Sequence, residues 1–267
     1  MDTKTTTIKE VKDFFQPLLP FMGNNDPRQQ LNGVWLLPKD YYNNDKPLRV
    51  SCNGHSLQRI EVPFDVPNAL FYSREDIKEF LKIRTKDNIE FNGEEFTWKD
   101  KILKGRQTIT SDKPYNPDKV YFVLPDISFI IPNPVTREEN GFKLNLTLDK
   151  NLKQVLKILS SSMWKQSLGI NYCRLSISDK VELSLESHFD YDYDITATAL
   201  PSFTIKDNNE WNGEPFEIGI NPKYLLDALE NCGLYYPEMT FDEPLDPVVV
   251  NGHKTTTLIM PVRLENK

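Results

Sequence analysis

Six of the eleven glycines in this 267-residue chain directly follow asparagine: Asn32-Gly33, Asn53-Gly54, Asn92-Gly93, Asn140-Gly141, Asn212-Gly213 and Asn251-Gly252. Asn-Gly accepts the positive φ angles of a tight type I′ turn, so the pair specifies a hairpin where strand-like residues flank it. Three of the six meet that condition: residues 48–62, 89–98 and 247–262 each have the pattern strand, turn, strand. GVWLL (33–37), KVYFVLPDISFIIP (119–132), INYCRLSIS (170–178), KVELSLESHF (180–189), DITATALPSF (194–203) and PFEIGI (215–220) add alternating or β-branched runs. The chain is β-rich.

Helical patterns are fewer and recur at matching places in two halves. Residues 6–19 and 148–166 each open a half with apolar residues at helical spacing; in the second, Leu152, Val155, Leu156 and Leu159 share one face. A second helix follows in each half. Residues 73–83 carry Ser73 and Asp76 in a capping-box arrangement, and residues 221–233 carry Asn221 as N-cap, Pro222 at the first helical position and Gly233 beyond the end. The length suits two domains of ordinary size, and the offset of about 140 residues predicts an internal duplication. The proline-rich, polar stretch 132–140 places the boundary, giving domains 1–132 and 133–267 and an α+β fold class.

Charge and cysteine content narrow the function. Thirty-two basic against 39 acidic residues give a net charge of −7, which argues against a surface that coats nucleic acid everywhere and leaves room for a local basic face. No stretch approaches the ~20 consecutive apolar residues of a membrane span, and the N-terminus has no apolar signal core. Cys52, Cys173 and Cys232 are few, odd in number and far apart, so we expect a cytoplasmic protein without disulfides. His55, His188 and His253 show no zinc-type spacing, and no metal or cofactor is expected.

Catalytic patterns are weak. Asp190, Asp192 and Asp194 lack the glycine and distal glutamate of a calcium loop, and period-two spacing makes them a solvated strand face. Cys52 and His55 flank a turn without a third orienting group. The chain has no phosphate-cradling glycine loop, GxSxG or HExxH. Basic residues gather on the helices instead: Lys9 and Lys12, then Lys78, Lys82, Arg84 and Lys86, then Lys150, Lys153, Lys157 and Lys165. Amphipathic helices commonly solvate an outer face with lysine, so only a geometry that brings these helices together would make them a DNA surface.

Several segments together resemble the β sliding clamp of bacterial DNA polymerase III. LNGVWL (31–36) followed by LRVSCNGHSL (48–57) resembles paired clamp strands in which leucine-asparagine-glycine precedes a threonine-aspartate-glycine-histidine-arginine-leucine hairpin. LPDISFIIP (124–132) resembles the segment joining the clamp's second and third domains. FEIGINPKYLLDAL (216–229), PLDPVVV (244–250) and LIMPVRL (258–264) resemble successive landmarks of its third domain. Cys52, Asn53 and Ser56 stand where the family usually has threonine, aspartate and arginine, and only the second and third of the family's three domains have counterparts.

The resemblance implies two tandem clamp domains, each with two helices on antiparallel sheets, and a non-catalytic processivity factor that encircles double-stranded DNA without reading sequence. Two domains per chain would close a six-domain ring as a homotrimer. It also implies a groove for linear peptide motifs of a DNA polymerase and a clamp loader, with walls at Leu31, Cys52, Gly54, His55, Ser56, Leu57, Pro125, Phe129, Ile130, Asn221, Tyr224, Leu245, Pro247, Leu258, Ile259, Met260, Pro261, Val262 and Arg263. The DNA-facing set would be Lys9, Lys12, Lys78, Lys82, Lys150, Lys153, Lys157 and Lys165. The alternative is a clamp-like adaptor or competitor that binds such peptides without encircling DNA. Neither reading involves a membrane or a cofactor, and location would be the nucleoid or, for a phage-encoded protein, the host cytoplasm.

Overall fold

A computed structural model describes residues 4–39, 41, 45–107, 142–145, 150–160, 172–177, 181–186, 216–233, 237–241 and 245–264. The chain divides into two compact units, Met1–Phe129 and Ile130–Lys267. The expected boundary at 132, the strands expected at 119–132 and 194–203, and Asp190, Asp192 and Asp194 lie outside the described residues.

In the first unit, β1 (Lys4–Thr7) leads into α1 (Ile8–Phe15), and β2 (Gly33–Leu37), β3 (Leu48–Cys52), β4 (Ser56–Glu61) and β5 (Leu70–Ser73) follow. Then come α2 (Arg74–Leu81), β6 (Asn88–Phe91), β7 (Glu95–Trp98), β8 (Lys101–Lys104) and the short β9 (Arg106–Gln107). One antiparallel sheet has the order β1-β6-β7-β8. In the other, β3 lies between β4 and β2, and β5 lies between β2 and β9. Val11, Phe15, Leu36, Tyr72, Ile77, Phe80, Ile89, Phe96 and Leu103 fill the core. Phe15 meets Tyr72 edge-on at 5.3 Å, and Phe91 stacks on Phe96 at 4.3 Å.

The second unit repeats this wiring. β10 (Phe142–Asn145) precedes α3 (Lys150–Leu159), then β11 (Tyr172–Ile177), β12 (Val181–Glu186), β13 (Phe216–Ile220), α4 (Pro222–Asn231), β14 (Glu238–Phe241), β15 (Val248–Asn251) and β16 (Thr255–Ile259). The pairs β10–β14, β14–β15 and β15–β16 reproduce β1–β6, β6–β7 and β7–β8. Likewise β11 pairs with β12 and β13 as β2 pairs with β3 and β5. Within each unit the two helices pack on one another.

Local chemistry sets the helix limits. The first helix is shorter than residues 6–19 predict. Thr7 starts it, with its hydroxyl accepting from the Glu10 amide at 3.2 Å and the Glu10 carboxylate accepting from the Thr7 amide at 2.7 Å. It stops at Phe15 because Pro17 has no N–H for the Asp13 carbonyl, and Gln16–Phe21 continues as a 3-10 turn. Arg49 donates to the carbonyls thus released on Asp13 and Phe14 and lies over the Phe14 ring at 4.5 Å. Burial there brings its guanidinium down to about 10. Ser73 and Asn221 cap their helices: Ser73 accepts from the Asp76 amide, although the Asp76 carboxylate accepts from the Ser73 hydroxyl rather than completing the expected capping box, Asn221 accepts from the Lys223 amide at 2.9 Å, and Gly233 takes φ +70.

The three expected hairpins form, with a different turn register. In β3–β4 and β6–β7 the two-residue loops are Gly54-His55 and Gly93-Glu94, so asparagine sits before the loop and glycine takes its first position, at φ +87 and +95. Asn53 and Asn92 use their side-chain oxygens to accept from the second loop amide and the first amide of the following strand, at 2.8–3.0 Å. That combination suits a II′ turn rather than the I′ turn predicted. In β15–β16 the loop is His253-Lys254, with Lys254 at φ +63. Gly252 is needed for a different reason: a Cβ there would overlap the Cys232 carbonyl oxygen, which accepts from the His253 amide at 2.9 Å and the Thr255 hydroxyl at 3.1 Å.

Candidate functional site

In the first unit the expected peptide-site residues gather at the β3–β4 turn. Gly54 and His55 are exposed at its tip and Cys52 is half-buried, while Leu31, Ser56 and Leu57 are 5%, 3% and 2% exposed and lie beneath the surface rather than on it. Ser56 turns inward, its hydroxyl donating to Asn53 Oδ1 at 3.3 Å. The sequence reading missed Arg28. Its guanidinium lies close enough to Gly54 that a Cβ there would come within 2.8 Å of Nη2. Asp26 holds it, accepting from Nε at 2.9 Å, Nη2 at 3.0 Å and the Arg28 amide at 2.9 Å. The Arg28 side chain, then its amide, bring the Asp26 carboxyl down to about 2. Asn32 closes the same loop on both backbone groups of Asp26. The available signal was the D-x-R spacing at 26–28.

Cys52 is poorly suited to nucleophilic chemistry. Burial pushes its thiol up, and Sγ accepts from the Gly54 amide at 3.3 Å. Cys173 and Cys232 are buried, their thiols donating to the carbonyls of Ile220 and Leu229, and none of the three cysteines is in a disulfide. Among the described residues no cluster of His, Cys, Asp and Glu could hold a metal, and no helix is long and apolar enough to cross a membrane.

In the second unit the expected residues lie along the end of the chain and the start of α4. After β16 the Val262 amide donates to the Gly219 carbonyl at 2.8 Å in an antiparallel bridge, so residues preceding Val262 run toward the Asn221 end of β13. A side chain at 219 would meet Val262 and Leu264, so glycine permits this close return. Leu245 and Met260 are 56% and 38% exposed, two large apolar side chains left in water. Arg263 is exposed, while Asn221, Tyr224, Pro247, Pro261 and Val262 are half-buried. Burial pushes the Tyr224 phenol up. Leu258 and Ile259, expected as walls, are 2% and 0% exposed and support the strand from within. Pro125, Phe129 and Ile130 lie outside the described residues.

The helical lysines are not equivalent. On α1 the outward Lys9 and half-buried Lys12 alternate with Glu10 and Asp13; on α2 Lys78 shares the exposed face with Glu75 and Glu79, and Lys82 pairs with Glu79. Arg74 points inward to the carbonyls of Met22 and Gly23 at 2.8 and 3.0 Å. Among the described helices only α3 has lysines and no acid: Leu152 and Leu156 are buried, Lys150 and Lys157 are exposed, and Lys153 bridges to Glu230 of α4 at 2.7 Å. Of the lysines expected to face DNA, those on α1 and beside α2 share their faces with acids, while Lys150, Lys153 and Lys157 share their helix with none. Lys165 lies outside the described residues.

No family model and no curated protein sequence matches the chain. Solved structures do. The chain is similar to the DNA polymerase III beta chain of Streptococcus pneumoniae, with 17% identity and a TM-score of 0.67, covering 99% of this chain and 65% of that one. It is similar to the Thermotoga maritima beta subunit, with 18% identity and a TM-score of 0.66 over 98% of this chain and 66% of that one. The Bartonella birtlesii sliding clamp bound to griselimycin gives 18% identity and a TM-score of 0.67 over the same shares. The fold is that of the bacterial DNA sliding clamps, an α+β arrangement of helices on antiparallel sheets. This chain spans about two thirds of the length of the clamps it matches.

Proposed function

We propose that this protein is a non-catalytic DNA sliding clamp, a processivity factor that encircles double-stranded DNA and tethers a DNA polymerase to it. The observation that carries the proposal is a clamp fold extending over 98–99% of the chain, built as two units with one wiring. Two such units per chain make three copies the closed six-domain ring. The three lysines of α3, without an acid on that helix, supply a cationic face that holds phosphates without reading bases. Retention in this mechanism is topological, and the polyelectrolyte attraction keeps the duplex centred while permitting sliding.

The peptide-binding part of the proposal assigns one set of residues to each unit. Exposed Leu245 and the flexible Met260 offer apolar anchoring for leucine and aromatic side chains of a linear motif, and Arg28 beside Gly54 and His55 offers polar recognition. The partners of this reading are a polymerase and a loader. The balanced charges on α1 and α2 favour the second reading, an adaptor or competitor that binds motif peptides without encircling DNA. Retention on a circular plasmid, compared before and after linearisation, separates the two. A clamp stays on the circle and runs off the ends after a cut; equal loss from both forms would sink the encircling mechanism.

A further inference from the structure

A cavity of about 710 Å3 opens in the first unit where β1, the ends of the β3–β4 hairpin and the β6–β7 turn meet. It lies at the opposite end of that hairpin from Gly54: Pro47, which lines it, precedes Cys52 by five residues, or ~17 Å of extended strand. Its walls are apolar and stiff. Pro47, Pro63 and Pro67 contribute rings whose backbone φ is fixed, and Phe64 and Phe91 meet edge-on at 5.7 Å. Phe64 stays half-buried although Phe14 also stacks on it, at 5.9 Å. Walls of this kind lose little freedom when a ligand enters, and the volume falls within the ~300–1,000 Å3 of ligand sites.

Charge at the rim decides what enters. Lys4 is exposed and lies over the Phe64 ring at 5.8 Å, with no acidic partner among the described residues. Lys46 also lines the rim and bridges to Glu61 at 2.8 Å, while Asp65 is the acid among the described lining residues. In a chain of net charge −7 this rim is therefore locally cationic, above an aromatic and proline-lined interior. An aromatic ring suits the interior by edge and face contacts, and a carboxylate beside it suits the unpaired ammonium. We propose that this cavity binds an acidic linear peptide through one aromatic side chain, which lies among the prolines and Phe64 while a neighbouring carboxylate meets Lys4. A nucleic-acid base would instead leave its polar edge against proline and phenylalanine without hydrogen bonds. The site is independent of the clamp reading, since none of its residues belongs to the expected groove or to the DNA-facing lysines.

Fluorescence anisotropy with a labelled peptide, Glu-Asp-Phe-Asp-Glu, tests the site on wild type beside Lys4→Glu, Pro67→Glu and a control, Lys86→Glu. Lys86 is also exposed but precedes β6 at the end away from the cavity, so it carries the same charge change without the contact. Saturable binding to wild type is expected, weakened about tenfold or more by Lys4→Glu, by Pro67→Glu and by alanine in place of the peptide's phenylalanine. Melting temperatures should stay unchanged, and Lys86→Glu and Met260→Asp should bind as wild type does. Absence of saturable binding, an equal loss in Lys86→Glu, or an alanine peptide that binds as well would each overturn the proposal. Displacement of the peptide by a single-stranded oligothymidine would overturn it in favour of nucleic acid, and loss of binding in Met260→Asp would move the peptide to the second unit. A leucine-phenylalanine motif peptide and circular DNA, tried on the same samples, separate the two readings. If neither binds while the acidic peptide does, the cavity site stands and the clamp function falls; the reverse result removes the cavity site alone.

Discussion

Charge reversal on α3, Lys150→Glu with Lys157→Glu, challenges the DNA-holding mechanism most directly. Both side chains are exposed, and the helix is anchored through Leu152 and Leu156, so the substitution leaves the buried face untouched. Seven residues separate the two positions, about 10 Å along the axis, so both reach one stretch of duplex. Each phosphate contact contributes about 0.9 to the slope of log affinity against log salt, so losing both lowers that slope by ~1.8 per copy. Between about 50 and 200 mM salt, two contacts account for roughly a tenfold change in affinity. The assay is retention on a nicked circular plasmid across that salt range. Lys153→Gln is the internal comparison: its ammonium already bridges Glu230 at 2.7 Å, and it is expected to change the slope by less than half as much as Lys150→Gln. An unchanged slope in the double reversal, or an equal effect from Lys153→Gln, would refute the assignment of α3 to DNA.

Met260→Asp places a carboxylate where the peptide reading needs an apolar anchor, and should weaken a fluorescent motif peptide at least 30-fold, equivalent to ~2 kcal/mol for an unpaired charge at an apolar contact. Because Met260 is 38% exposed, stability in urea should move by only about 0.5 kcal/mol; full-strength peptide binding would place the site elsewhere. Gly252→Ala forces the β15–β16 turn off the Cys232 carbonyl and should cost about 1–3 kcal/mol, read by chemical denaturation, with no loss meaning that the turn moves freely. The Asp26 carboxyl lies below its ordinary 3.8, at about 2, because Arg28 stabilises its charged form. Its contribution to stability is therefore complete above the ordinary value and is lost as pH falls from about 4 to 2. Asp26→Asn should flatten that part of the acid unfolding curve, and superimposable curves would show that the pair contributes nothing.

The sequence by itself located the three hairpins and the starts of two helices, because those signals are local. Asn-Gly located the three hairpins, and Ser73 and Asn221 marked helix starts through bonds to amides two or three residues away. The repeat of helix and strand patterns was legible for the same reason. Tertiary structure decided everything that depends on residues distant in sequence. Arg49 reaches back 35 residues to carbonyls that Pro17 and the tightened turn release, and no periodicity signals such a contact. The return of Val262 across Gly219 separates Met260, left in water, from Ile259 beside it, fully buried, although both belong to one apolar run. Glu230 takes Lys153 out of an otherwise uniform lysine face, because α4 packs on α3. A side chain's periodicity fixes the face it takes, and only its neighbours in space fix whether that face meets water.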